Sequence, residues 1–135
     1  MERQIISPWT WQDQFAFVQA NAVTAAERTI LCSGQTSVDA EGNPIHEGDM
    51  GAQLTQALDN LEAVLRESGC GLADVVRLNY YTTDIDGFFA AIDVVVSRLT
   101  EAGCRPASTL LEVSRLALPS LLVELEATAV TGGGG

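Results

Sequence analysis

The segment LLVELEATAV, Leu121 to Val130, is apolar enough for a buried strand yet carries two carboxylates, Glu124 and Glu126. Strand side chains alternate, so Val123, Leu125, Ala127 and Ala129 share one face and the two glutamates share the other. Their Cα atoms stand roughly 6.5–7 Å apart along such a strand. The acidic face meets water or lines a polar cleft, whereas the apolar face needs a layer packed upon it.

The segments upstream supply that layer. Leu54, Leu58, Leu61 and Leu65 recur at helical spacing behind Asp49, the expected N-cap, and the run stops at Gly69. DVVRLNYYTT, Asp74 to Thr83, alternates as a strand, with Val75, Arg77, Asn79 and Tyr81 on one face and Val76, Leu78, Tyr80 and Thr82 on the other. A second helix is expected from Asp84 or Asp86 to Gly103, striped by Phe88, Ile92, Val95, Val96 and Leu99. The β-branched run from Ile92 to Val96 weakens its intrinsic propensity, but the length and caps outweigh that. Further strands are expected around Ile5–Ile6, Phe15–Val23, Thr29–Cys32 and Ser108–Val113, with a turn in VDAEGNPI. The order is β-β-β-α-β-α-β-β. Neither helix buries its stripe alone, so both pack on one face of a mixed sheet in an α+β fold. The opposite sheet face has no helix to cover it. It carries Glu124, Glu126 and Thr128 beside Leu122 and Val130, a half-apolar surface of the kind that meets another subunit.

The 135 residues suit one domain, residues 1–131, followed by a flexible glycine tail at 132–135. Seven Lys and Arg against 18 Asp and Glu leave a net charge of -11, which makes the chain a poor nucleic-acid binder, since neutralising phosphates needs a basic patch. No apolar run reaches the length of a membrane span and MERQIISPW lacks a signal peptide's apolar core, so a cytoplasmic protein is expected. Cys32, Cys70 and Cys104 are odd in number and fall in no CxxC spacing, and His46 is the sole histidine. Reduced thiols and no metal site follow.

Five stretches, taken together and in order, resemble the Rid family, formerly YjgF: SGQ at Ser33–Gln35, QALDNLEAVLRESG at Gln56–Gly69, ADVVRLNYYTTDIDGF at Ala73–Phe88, RPASTLLEVSRL at Arg105–Leu116 and VELEATAV at Val123–Val130. The resemblance implies a chorismate-mutase-like fold and a homotrimer with small-molecule ligand clefts at its subunit interfaces. It implies hydrolysis of reactive enamines and imines, such as 2-aminoacrylate, to a keto acid and ammonia, with no metal or organic cofactor. Such sites join an arginine that clamps the substrate carboxylate, a glutamate that positions water, and supporting tyrosine and asparagine residues. The glutamate matches Glu124. The clamp position holds Ser108, the tyrosine position Phe17, and the asparagine position Ile92, or Asp93 if the alignment slips by one. Leu110 stands where a cysteine is often found.

Serine replaces neither the charge nor the forked geometry of an arginine. Arg105, three positions earlier and about 10 Å away along an extended chain, is either a substitute clamp or a solvated loop residue. Glu124 is the acid/base candidate, because a partly apolar cleft raises a carboxyl pKa towards neutrality and Glu126 on the same face adds to the effect. The competing reading makes both glutamates structural. Phe17, Ile92 and Leu110 make a drier cleft than usual, and Trp11 is read either as an aromatic wall or as loop packing. Ser108 is a hydrogen-bond donor to a ligand carbonyl, and Gly34 permits close backbone approach. Two functions survive: an enzyme that moves protons on an enamine, imine or related carbonyl-derived intermediate, by hydrolytic deamination, tautomerisation or cyclisation, and a trimeric protein that binds a metabolite without chemistry.

Overall fold

The computed structural model describes residues 1–132; the glycine tail expected from the sequence, beyond that point, lies outside the described residues. Strands β1 (Glu2–Ile6) and β2 (Ala20–Thr24) form an antiparallel pair. The main sheet contains β3 (Arg28–Leu31), β4 (Gln35–Thr36), β5 (Val75–Thr82), β6 (Ala107–Glu112) and β7 (Val123–Thr131). Its order is β3-β7-β5-β6, with β4 also pairing along β7. The β5–β6 pair is parallel and the others are antiparallel, so the expected mixed sheet is present.

Helix α1 spans Met50–Glu67. Asp49 caps it, its carboxylate accepting the Ala52 N–H at 3.0 Å. Gly69, at φ +82°, turns the chain out, and the Cys70 N–H returns to the Leu65 carbonyl at 2.8 Å. Leu54, Leu58, Leu61 and Leu65 are fully buried against Leu78, Leu125, Ala127 and Ala129 of the sheet. Each such leucine contributes about 1.5–3 kcal/mol of burial, so this stripe fixes which sheet face is inside.

Three local expectations are corrected. The second helix is two, α2 (Ile85–Ala90) and α3 (Ile92–Ala102), separated at Ala91. Asp84, not Asp86, caps α2, accepting the Gly87 N–H at 3.0 Å. The interruption falls where the β-branched run begins, and it leaves Phe88 in the core while Phe89 and Ile92 turn to a common side. Second, Phe15–Val23 is not one strand. Trp11–Phe15 forms a 3-10 turn closed by left-handed Ala16 (φ 59°), and β2 begins only at Ala20. Gln12 fills the inside of this turn, its amide donating to the Trp9 carbonyl at 2.9 Å. Third, a register shift between Val75 and Arg77 sends Val75 into the core, whereas it was expected to share a face with Arg77.

The β1–β2 pair is fastened to the sheet by Arg3. Its guanidinium donates to the carbonyls of Ala73 (3.0 Å), Val75 (3.3 Å) and Arg105 (2.7 Å) and to Asn21 Oδ1 (3.1 Å). Among the described residues no helix is long and apolar enough to cross a membrane.

Candidate active site

The sheet without its helices presents the acidic face. Register places Glu124 beside Tyr81, Glu126 beside Asn79 and Thr128 beside Arg77. Tyr81 donates its hydroxyl to Glu126 Oε1 at 2.9 Å, and Asn79 Nδ2 approaches the same oxygen at 3.3 Å. The bond to Glu126 holds the Tyr81 phenol above its ordinary value. Glu124 is half-buried, and no side chain of the described residues donates to it. Burial, and then the neighbouring Glu126 charge, raise its carboxyl pKa. Gly34 lies directly against this side chain. A Cβ there would sit 2.6 Å from Glu124 Cδ and would overlap its carboxylate. Close approach explains the glycine, and what approaches is the candidate acid/base itself.

A second feature lies on the helix side of the sheet, at the β6 edge. It is an apolar pocket of about 240 Å³. The 3-10 turn supplies Trp11 and Phe15, and the left-handed Ala16 swings Phe17 in behind them. The Trp11 and Phe17 rings meet edge to face at 5.8 Å. Phe88, Phe89 and Ile92 enter from the α2–α3 junction, Val95 from α3, and Tyr80, Ser108 and Leu110 from the sheet. Phe15 meets Phe89 at 6.4 Å, Phe89 meets Phe88 at 5.9 Å, and Phe88 meets Tyr80 at 5.3 Å, all edge to face. None of the lining side chains carries a charge. Ser108 Oγ is buried and has no hydrogen-bond partner; the other such side-chain atom among the described residues is Asn79 Oδ1, on the acidic face.

The eight residues singled out in the sequence therefore fall into three places. Trp11, Phe17, Ile92, Ser108 and Leu110 converge on the apolar pocket. Gly34 and Glu124 meet on the acidic face. Arg105 lines a neighbouring cavity of about 190 Å³ with Asp13, Leu99 and Cys104, and shares with the aromatic pocket only the wall formed by Phe17. Within one chain Glu124 and Ser108 are on opposite sheet faces, because Ser108 pairs with core-facing Leu78 and Glu124 with outward Tyr81. The sequence reading missed Phe15, Tyr80, Phe88, Phe89 and Val95 as lining residues. The adjacent Phe88 and Phe89 were the available signal, since one helix stripe does not absorb both. No group of three or more His, Cys, Asp or Glu side chains gathers for a metal ion among the described residues.

The family profile described as Endoribonuclease L-PSP matches residues 13–131. The RutC family protein slr0709 of Synechocystis is 34% identical over 111 residues, covering 82% of this chain and 84% of that protein. The 2-iminobutanoate/2-iminopropanoate deaminase of Salmonella typhimurium is 30% identical over 102 residues, covering 75% of this chain and 78% of that protein. Among solved structures, YyfB from Yersinia pestis, a Rid-family protein of unknown function, superposes with a TM-score of 0.85 at 37% identity, over 96% of this chain and 99% of that one.

Proposed function

The chain belongs to the endoribonuclease L-PSP family, the Rid or YjgF proteins, and from that premise we propose a cofactor-independent enzyme that hydrolyses a reactive imine or enamine, with Glu124 as its acid/base group. The observation that carries this reading is the half-buried Glu124, packed on Gly34 with its carboxyl pKa raised. Water adds to the C=N carbon as one of its protons passes to the Glu124 carboxylate, which hands that proton to the nitrogen to give a neutral carbinolamine. The carbinolamine then collapses: Glu124 takes the hydroxyl proton and returns it to the nitrogen, the C–N bond breaks, ammonia leaves, and the remaining oxygen becomes the carbonyl. An enamine enters the same path after protonation at carbon, the same group serving as acid. The deaminase named among the relatives supports this class of reaction.

The reading requires a second subunit. Leu31 is 79% exposed and Leu111 50% exposed on or beside the acidic face, where Asn79 Oδ1 also lacks a partner. The resemblance implies a homotrimer with clefts at its subunit interfaces, and the reading needs that assembly to set Glu124 of one subunit against the aromatic pocket of another. RNA is a poor substrate for such a surface at a net charge of -11, whatever the family's label. The separation of Glu124 from the pocket within one chain favours the second reading, a protein that binds a metabolite without chemistry, if assembly does not join them.

The test is ammonia and keto-acid release from 2-aminoacrylate generated in place, and from bulkier imines, with the native protein and Glu124→Gln. Sedimentation reports the assembly. Turnover lost in the variant with binding retained supports the enzyme. A folded trimer with no turnover on any imine leaves the binding protein.

A further inference from the structure

The proposed reaction leaves the substrate unnamed; the inference that follows rests on that reading and concerns its substrate class. From the pocket's walls, we infer that the site takes a neutral aryl substrate, a phenyl-sized ring bearing a C=N or C=O group, and seats that group on the Ser108 hydroxyl. Three observations on the pocket converge. Its volume, about 240 Å³, exceeds the roughly 150 Å³ of an apolar cavity that holds benzene, which leaves room for two or three further heavy atoms. Its walls are aromatic rings and aliphatic groups, among them Phe15, Phe17, Phe89 and Ile92, an apolar lining of the kind that suits an aromatic ligand. Ser108 lines the pocket, and its Oγ is buried without a partner, an unspent hydrogen bond in the pocket wall.

The same walls select against a carboxylate. No lining group is cationic, and Arg105 opens on the adjoining cavity beyond Phe17. An anion would lose its hydration and gain a single hydroxyl bond in exchange. A neutral imine or ketone loses little on entry and gains the bond that Ser108 lacks. The serine therefore selects the substrate by its one hydrogen bond, and the rings select it by shape.

The test uses calorimetric titration of the assembled native protein with three probes: acetophenone, ethylbenzene and pyruvate. Acetophenone is expected to bind saturably and at least tenfold more tightly than pyruvate. Ser108→Ala, a loss of one oxygen, should weaken acetophenone about tenfold and leave ethylbenzene within twofold. Pyruvate binding as tightly as acetophenone, or Ser108→Ala weakening ketone and hydrocarbon alike, overturns the inference. Glu124→Gln separates it from the reading beneath. Undiminished acetophenone binding, alongside a native protein that turns over no imine, sinks the enzyme and keeps the aryl pocket. Turnover of 2-aminoacrylate without binding of either aryl probe keeps the enzyme and sinks the aryl pocket.

Discussion

Gly34→Ala tests whether the position of Glu124, and not merely its presence, matters. The added methyl would lie 2.6 Å from Glu124 Cδ, about 0.8 Å inside the ordinary contact limit of 3.4 Å. Gly34 is not at positive φ, so the backbone accepts alanine. The overlap falls on the far end of a flexible side chain, which rotates away. The stability cost should therefore stay below the 1–3 kcal/mol typical of overpacking, with a Tm loss under about 4 °C. Activity should suffer far more, because a displacement of roughly 1 Å in a reacting group costs up to about 100-fold. The assay is initial rate of ammonia release from 1-phenylethanimine, made in place by oxidation of 1-phenylethylamine, with thermal unfolding on the same preparation. A kcat/KM about 10- to 100-fold lower at nearly unchanged Tm is the expected result. The double variant Gly34→Ala/Glu124→Gln should lose no more than Glu124→Gln alone, since both act through one carboxylate. Full activity in Gly34→Ala would show that the position of Glu124 against Gly34 does not matter, and a Tm loss above about 10 °C that Gly34 serves the fold instead.

Other expectations follow from named groups. Because Glu126 helps raise the Glu124 pKa, Glu126→Gln should move the acid limb of the pH–rate profile to lower pH; an unmoved limb removes Glu124 as the titrating base. A carboxyl raised in the fold retains its proton longer there than in the unfolded chain. Its contribution to stability is thus lost as pH rises from about the ordinary value of 4.5, and Glu124→Gln should be slightly more stable than native at pH 7 but not at pH 3, by thermal melts at both. Arg3→Ala strips donors from the carbonyls of Ala73, Val75 and Arg105, and should cost about 1–3 kcal/mol in urea unfolding with an unchanged m value. Iodoacetamide should label half-exposed Cys70 first in the native protein, since burial pushes the Cys104 thiol up to about 12 and raises that of Cys32; mass mapping of equal labelling at all three would contradict this.

The α+β layering was written in local patterns. The leucine stripe of α1 and the alternation in β7 each name a buried face, and two such faces have one economical arrangement. Asp49 and Gly69 stated where α1 begins and ends because caps act through the backbone within a few residues. The interruption at Ala91 was also hinted at by the β-branched run, but propensity is a weak signal and tertiary packing of Phe88, Phe89 and Ile92 decided it. The alternation of Phe15 and Phe17 misled for a similar reason. Both rings serve a pocket wall, so a spacing of two arose from a 3-10 turn and a left-handed residue, without a strand. The sequence alone determined that Glu124 and Glu126 share a face and that Ser108 and Leu110 share one, since strand parity is a local property. Which of those faces coincide is a matter of register between strands far apart in the chain. Only the tertiary structure showed that Ser108 pairs with inward Leu78 and Glu124 with outward Tyr81, placing the two halves of the candidate site on opposite sides of one sheet.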